Sequence, residues 1–418
     1  MAFTPASIIG TWLRGLLAIA VIAVAAYCFR GWYEELPRTE RVVVTRDDGA
    51  QRTVETPLGG AVERIAAWRP GFDGATQMLV TALLLTIWAT CGRILNRRLL
   101  RPCGDDEPRA DRTGEVHRLR RSDGTEFQAE VYGPPDGAPV IFTHGWGLDS
   151  TIWYYAKRAL ADRYRVIVWD LPGSGLSTRP RNEDFSLERM AHDLRTVLDV
   201  AGDRPAVLVG HSIGGMTIMT FARLFPQLLK TRIAGILIAH STYTNPLRTR
   251  SHAAIYTALQ KPVIEPLLRL TIVLSPLVWV MTWLSYLNGS AHSSTERSSF
   301  VGTETRGQLD FTARFNLEIS PAVLARGFLG MLEYEAPEIA TLGIPALVVV
   351  GDQDTQTLPQ AGDNLRARLG GNVESLAPAK HLGFFERHGE FVTLLRGFLD
   401  VMGEGAAVRV VTKSSPRD

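Results

Sequence analysis

Cysteine is scarce, with three residues in a chain of 418, and two of these, Cys28 and Cys91, lie inside the most apolar stretches. That excludes a disulfide framework and leaves the redox compartment open. Lysine is nearly as scarce, five among 45 basic residues, a bias toward arginine that suggests a GC-rich coding sequence more than a function. No sign of charge dominates: the formal net charge is +2. With neither a zinc-ligand spacing nor a Walker loop to set against that balance, no nucleic-acid partner, metal or organic cofactor is expected. Glycine and proline, 38 and 23 residues, are too few for low complexity, and no repeat recurs at solenoid spacing. What is present, 45% apolar and 21% charged residues, is the composition of a globular chain with a large core.

The apolar residues are unevenly spread. From Gly15 to Phe29 there is no charge, and with Arg14 reaching the interface the run extends back to Ile8. A second uncharged run, Gly74 to Gly92, carries Trp88 near one end and is followed by Arg93, Arg97, Arg98 and Arg101. Each is close to the roughly 20 residues needed to cross a bilayer, so helices over about 8–29 and 74–92 are read as a transmembrane pair. The competing reading of the first run is a cleaved signal peptide, with Ala23 to Ala26 as small residues. Arginines after the second run favour a cytoplasmic globular domain on a bacterial inner membrane, against seven arginines in the intervening loop. Within that loop, Arg41–Thr45, an Asp48-Gly49 turn and Arg52–Thr56 read as a small hairpin. Residues 1–113 are thus an anchor and linker, rich in charge, proline and glycine after Arg101.

From about Gly114 to Met402, short β-rich runs alternate with helical patterns, the mark of a mainly parallel α/β sheet. The clearest buried strands are Val140–Thr143, Arg165–Trp169, Ala206–Val209, Ile233–Ala239 and Ala346–Val350, and residues 403–418 read as a tail. One strand runs into Gly210-His-Ser212-Ile-Gly214 and then into a helical pattern. Composition alone predicts roughly 0.2 chance matches to G-x-S-x-G in this length, so the pattern needs its strand–turn–helix context, which is readable here. The alternative is a serine that merely caps the helix.

With that context the chain resembles the α/β-hydrolase superfamily, over most of 114–402. Three further segments carry the resemblance. Phe142-Thr-His144-Gly-Trp146-Gly147 stands where the family places its oxyanion loop, and the resemblance implies that the backbone N–H groups of Trp146 and Ile213 receive the oxyanion. His144 is read as holding that loop. Asp170-Leu-Pro-Gly173-Ser-Gly175-Leu-Ser177 is similar to a structural turn of the family. Val348-Val-Val-Gly351-Asp352-Gln-Asp354 and Ala377-Pro-Ala-Lys-His381 supply acid and base, in the family's order of Ser212, Asp354, His381. Asp352 remains a rival acid. A histidine must take the serine proton and a carboxylate must set its tautomer. His240, at a strand end, is read as facing the pocket and touching substrate.

The resemblance further implies a helical lid, here about 241–340. Leu270 to Asn288 within it is uncharged for 19 residues, long enough to span a bilayer. Spanning would put Ser212 and His381 on opposite sides, so the segment, bent at Pro276, is instead expected to lie on or dip into the leaflet and roof an acyl pocket, with Trp279, Trp283 and Tyr286 at the interface and Trp279 and Trp283 also touching substrate. The competing reading is a helix buried in the protein or in an oligomer contact, through the lid or the membrane helices. The resulting expectation is a membrane-anchored serine hydrolase of lipidic carboxylic esters, such as monoacylglycerol, working through an acyl-serine. Alternatives that share the triad are a C–C bond hydrolase, a perhydrolase and a non-catalytic scaffold.

Overall fold

The computed structural model describes residues 5–411 except 48, 72, 341 and 342, and side chains except those of 5–8, 97–100 and 403–411. Two long apolar helices open the chain, α1 (Pro5–Glu35) and α3 (Gly74–Leu100), with a short α2 (Ala61–Ala67) before the second. Segments Ile9–Glu34 and Gly74–Asn96 are long and apolar enough to cross a membrane. The two helices pack together, and buried residues recur every seven positions, all but one of them alanine: Ala18, Ala25 and then Trp32 on one, Ala75, Ala82 and Ala89 on the other. Small side chains at that period let two backbones approach closely. Between the helices, β1 (Thr39–Thr45) and β2 (Gln51–Pro57) pair antiparallel, and every residue of both is exposed. Asp48 of the expected turn lies outside the described residues.

Residues 101–113 have no regular structure yet are firmly attached. Arg101 pairs with Glu296 and Glu304, and Tyr155 donates to the carbonyl of Asp106. Arg112 enters a nest of three carboxylates, Glu130, Asp149 and Asp170, at 2.8, 2.9 and 3.0 Å. The expected linker is therefore a strap.

The globular domain has the α/β-hydrolase arrangement. Eight strands, β3 (Glu115–Arg120), β4 (Glu126–Tyr132), β5 (Ala138–Thr143), β6 (Tyr164–Trp169), β7 (Ala206–His211), β8 (Ile233–Ala239), β9 (Ala346–Gly351) and β10 (Asn372–Leu376), form one sheet. Their order is β10-β9-β8-β7-β5-β6-β4-β3, parallel from β6 to β10 and antiparallel at β3 and β4. Alternate residues of one strand feed two cores: Val140 and Phe142 join Trp153, Phe391 and Leu395 of one layer, while Ile141 joins Leu194 and Ile218 of the other. The flanking helices are α4 (Tyr154–Leu160), α5 (Leu187–Val200), α6 (Ile213–Leu224) and α7 (Pro226–Arg232).

Between β8 and β9 lies an all-helical insertion: α8 (Ala253–Leu259), α9 (Glu265–Val273), α10 (Ser275–Leu287), α11 (Ser290–Ser299), α12 (Arg306–Glu318) and α13 (Pro321–Met331). The apolar segment breaks between α9 and α10 with a turn of 97°, Pro276 standing in the first turn of α10. It lies against the N-terminal pair. A Cβ on Gly15 would fall 2.4 Å from that of Met281, and one on Gly92 would fall 2.6 Å from the carbonyl oxygen of Asn288. The chain closes with α14 (Pro359–Leu369), α15 (Gly383–Glu386) and α16 (His388–Val411), which continues beyond Met402 into the expected tail.

Candidate active site

Parallel strands end along one edge of the sheet, and loops leaving that edge can bring distant residues together. Thr143 ends β5, and the loop with His144 and Trp146 follows; β7 ends at His211, β8 at Ala239 and β9 at Gly351. Ser212, His240 and Asp354 are therefore delivered to one place by the sheet itself.

Ser212 sits on a turn that most side chains avoid, with φ 53° and ψ −118°. The sequence permits it because glycines flank it. A Cβ on Gly210 would lie 2.6 Å from the carbonyl carbon of Gly214, and one on Gly214 would lie 2.2 Å from the carbonyl oxygen of Thr143. Two further bonds fix the turn: the Ser212 N–H donates to Ala239 O at 3.0 Å, and Ser241 Oγ donates to Ser212 O at 2.6 Å. Strain of this kind, of order 1–3 kcal/mol, persists only where surroundings enforce it.

The hydroxyl so presented is half-buried and lies 3.2 Å from His381 Nε2. His381 Nδ1 donates to Asp354 Oδ2 at 2.8 Å. Asp354 is buried, which alone would raise its pKa, but the imidazole of His381 and contacts with His240 more than offset burial and hold the carboxyl well below the usual range. Its other contacts orient it: Oδ1 accepts from the N–H of Gln356 at 2.8 Å and of Thr357 at 3.1 Å, and Thr357 Oγ1 donates to Oδ2 at 2.8 Å. The rival Asp352 is elsewhere, its Oδ1 accepting from the Ala379 N–H at 2.8 Å.

The loop after β5 lies over this relay. Ile213 is the first residue of α6, where a helix leaves its N–H without an internal partner. Among the described residues no protein acceptor takes the N–H of Ile213 or of Trp146. Trp146 is anchored through its side chain, Nε1 donating to Leu324 O of α13 at 2.9 Å. His144 ties the loop to the segment after β6: Nδ1 donates to Gly145 O and Nε2 accepts from the Leu171 N–H, so it is a neutral imidazole, as its burial also favours.

The three expected substrate contacts, His240, Trp279 and Trp283, need correction on geometric grounds. His240 has a positive φ of 47°, which turns its buried ring inward, with Nδ1 3.6 Å from Asp354 Oδ2, so it backs the acid instead of facing a pocket. Burial lowers its pKa. Trp279 and Trp283 lie on the outer face of α10, 36% and 47% exposed. Helical phase explains this, because Val278, Met281, Ser285 and Tyr286 take the inward stripe. Trp279 Nε1 donates to Leu317 O at 2.9 Å, pinning α10 to α12. Tyr286, expected at the interface, is buried and donates to Asp310 Oδ1 at 3.2 Å.

Two residues of the site escaped the sequence reading. His211 packs beneath the loop, where a Cβ on Gly145 would fall 2.4 Å from its Nδ1, and its Nε2 donates to His381 O at 3.1 Å. Burial, with the imidazoles of His381 and His240 alongside, pushes its pKa well down. Thr357 is the other, and its signal was legible: a threonine three residues after an aspartate at a strand end closes a turn back onto the carboxylate.

Parts of the chain are similar to known proteins. Residues 138–242, which hold Trp146, Ser212 and Ile213 but neither Asp354 nor His381, match the family model described as alpha/beta hydrolase fold. An uncharacterized protein of Mycobacterium tuberculosis is 38% identical over 133 residues, 32% of this chain and 36% of that protein, so the chain spans about a third of that relative's length. A 3-oxoadipate enol-lactonase of Acinetobacter baylyi is 22% identical over 291 residues, 68% of this chain and 98% of the lactonase. Among solved structures, a thermophilic esterase from Thermogutta terrifontis superposes with a TM-score of 0.54 at 23% identity, covering 69% of this chain and 99% of the esterase.

Proposed function

We propose that this chain, which has the α/β-hydrolase fold, is a serine hydrolase of carboxylic esters, anchored in a membrane by α1 and α3 and acting on acyl esters drawn from that membrane. The observation that carries the reading is the relay itself: Ser212 Oγ, His381 Nε2 and Nδ1, and Asp354 Oδ2 in unbroken hydrogen-bond contact at 3.2 and 2.8 Å. His381 takes the serine proton as Oγ attacks the ester carbonyl. Asp354 keeps Nδ1 protonated and stabilises the imidazolium. The developing oxyanion is received by the N–H groups of Trp146 and Ile213; one such donor is typically worth about 10²- to 10³-fold in rate. His381 returns that proton to the leaving oxygen, which departs as the alcohol and leaves an acyl-serine; water, deprotonated in turn by His381, then hydrolyses it.

The lipidic part of the reading is supported by the lid. Its outer face exposes Leu270, Val273, Leu277, Val280 and Trp283, and α1, packed against it, exposes Leu13, Leu16 and Leu17. A run of exposed apolar side chains along packed helices suits an acyl environment. The arginines at the C-terminal end of α3 and just after it favour a cytoplasmic domain. In this arrangement exposed Cys103 reacts with an impermeant maleimide only after membranes are opened.

A fluorophosphonate probe should label the full-length protein in membranes and should fail on Ser212→Ala. Hydrolysis should then rise along a series from acetate to long-chain monoacylglycerol. Equal labelling of Ser212→Ala would remove the serine-hydrolase reading; a series flat or falling with length would remove the lipidic one. Peracid formation exceeding ester hydrolysis would turn the same triad to perhydrolysis.

A further inference from the structure

The chain partners its buried arginines with care. Arg112 meets three carboxylates, Arg121 meets Asp193, and Arg101 meets Glu296 and Glu304. Arg250 lies over the ring of Tyr256 at 4.2 Å and within the field of Asp354. Arg14 has no such counter-charge. It stands within the first apolar segment, turned from the lipid-facing side of α1 toward the lid. Nη1 donates to Ser294 Oγ at 2.9 Å and Nη2 to Thr11 Oγ1 at 3.3 Å, both neutral acceptors, while Nε is buried without a partner. Among the described residues no carboxylate pairs with it, and the nearby charge is another cation, Arg297.

A guanidinium set into an apolar interface without a counter-ion is costly, whereas one met by an anion in a fork of N–H donors is not. Beside it lies a narrow cavity between α1 and the lid, walled by Trp12, Arg14, Thr271, Val278, Thr282 and Leu324. Leu324 is also the residue whose carbonyl holds the Trp146 indole, so one side chain separates this cavity from the oxyanion loop. Close in sequence to the lining residues, Leu13 and Leu17 on α1 and Val273 and Leu277 on the lid are exposed and apolar.

We propose that Arg14 and this cavity form a binding site for the anionic head of a membrane amphiphile, a carboxylate or phosphate monoanion, whose chain lies along α1. The inference rests on the membrane placement of α1 proposed above and not on the activity of Ser212. Bound there, the amphiphile completes the charge of Arg14 and joins α1 to the lid beside the residue that fixes Trp146. Fatty acid, the product of ester hydrolysis, and anionic phospholipid share the required chemistry.

The test uses the full-length protein, as Ser212→Ala, in phosphatidylcholine nanodiscs doped with one of three brominated quenchers: dibromostearate, dibromo-phosphatidylglycerol or dibromo-phosphatidylcholine. Exposed Trp88 and Trp283 report membrane placement, and all three quenchers should dim them. Trp12, which lines the cavity, reports the site; its signal is the difference from Trp12→Phe. Trp12 should be half-quenched by an anionic amphiphile at a mole fraction at least about tenfold below that needed for phosphatidylcholine, a ratio equivalent to one charge-assisted hydrogen bond. Arg14→Gln should abolish that preference and Arg14→Lys should retain part of it. The better of the two anionic quenchers identifies the head group. Equal quenching of Trp12 by all three lipids in the unaltered-Arg14 protein overturns the site, whatever the variants do. Absence of quenching at Trp88 and Trp283 overturns the membrane placement instead.

Discussion

Trp146 can be displaced without being mutated. Its indole lies against Gly327 of α13 so closely that a Cβ there would fall 2.0 Å from Cζ2 and 2.4 Å from Cη2, where ordinary contact begins at 3.4 Å. Gly327→Ala must therefore move the ring or the helix by about 1 Å or more, and a misplacement of that size near a reacting centre can cost 10²-fold. The ring cannot yield freely, since Nε1 is held by Leu324 O one turn earlier on the same helix. The displacement passes to the backbone of the loop, whose N–H is the proposed oxyanion donor. A kcat about 10²-fold lower with KM little changed is expected on a short-chain p-nitrophenyl ester, because the lost interaction belongs to the transition state. Overpacking should cost about 1–3 kcal/mol of stability, so circular dichroism and a denaturant midpoint must show a folded protein. Gly397→Ala, where nothing lies within 4 Å, is the control. Full kcat in a folded Gly327→Ala protein would refute the role given to the loop.

Asp354→Asn should lower kcat by about 10⁴-fold in the same assay by upsetting the His381 tautomer, and Thr357→Val by about tenfold through one lost bond to the carboxylate; parity of the two variants would contradict the assigned order of importance. Arg112→Met leaves Glu130, Asp149 and Asp170 together without their cation and should cost about 3–5 kcal/mol in urea unfolding, against under 1 kcal/mol for the exposed pair partner Arg163→Met. His144, His211 and His240 are held neutral chiefly by burial, with pKa values below the ordinary imidazole. The unfolded chain thus binds more protons than the folded one below about pH 6, and stability should fall as pH drops through that range, by at most about 4 kcal/mol per pH unit. Urea midpoints unchanged from pH 7 to pH 5 would show that these rings are not buried neutral.

Five central strands could be read directly because strands buried on both faces are continuous runs of branched residues, as in Val348-Val-Val350. The outermost antiparallel strand was not legible: Glu115–Arg120 is half charged and largely exposed, and its two apolar residues, Val116 and Leu119, do not alternate. Ser212, Asp354 and His381 could be placed by motif and chain order. His211 was invisible because it occupies a variable position of the serine motif, and what it touches depends on a loop 66 residues earlier in the chain, at Gly145. Arg112 was hidden in a stretch whose composition reads as linker, since a charge run shows nothing of the carboxylates it will meet. For the lid, composition gave the apolar length but not the phase, and phase alone put Val278 and Met281 inside and Trp279 and Trp283 outside.

The strap of residues 101–113 leaves the globular domain no slack. With α1 and α3 in a bilayer, the nucleophile is held at one height above the lipid plane and cannot swing outward to meet a dissolved molecule. Encounter then becomes a search in two dimensions. Turnover would follow the mole fraction of ester within the bilayer, so diluting the vesicles with buffer would leave the rate per vesicle unchanged, while diluting the ester with inert lipid would slow it in proportion.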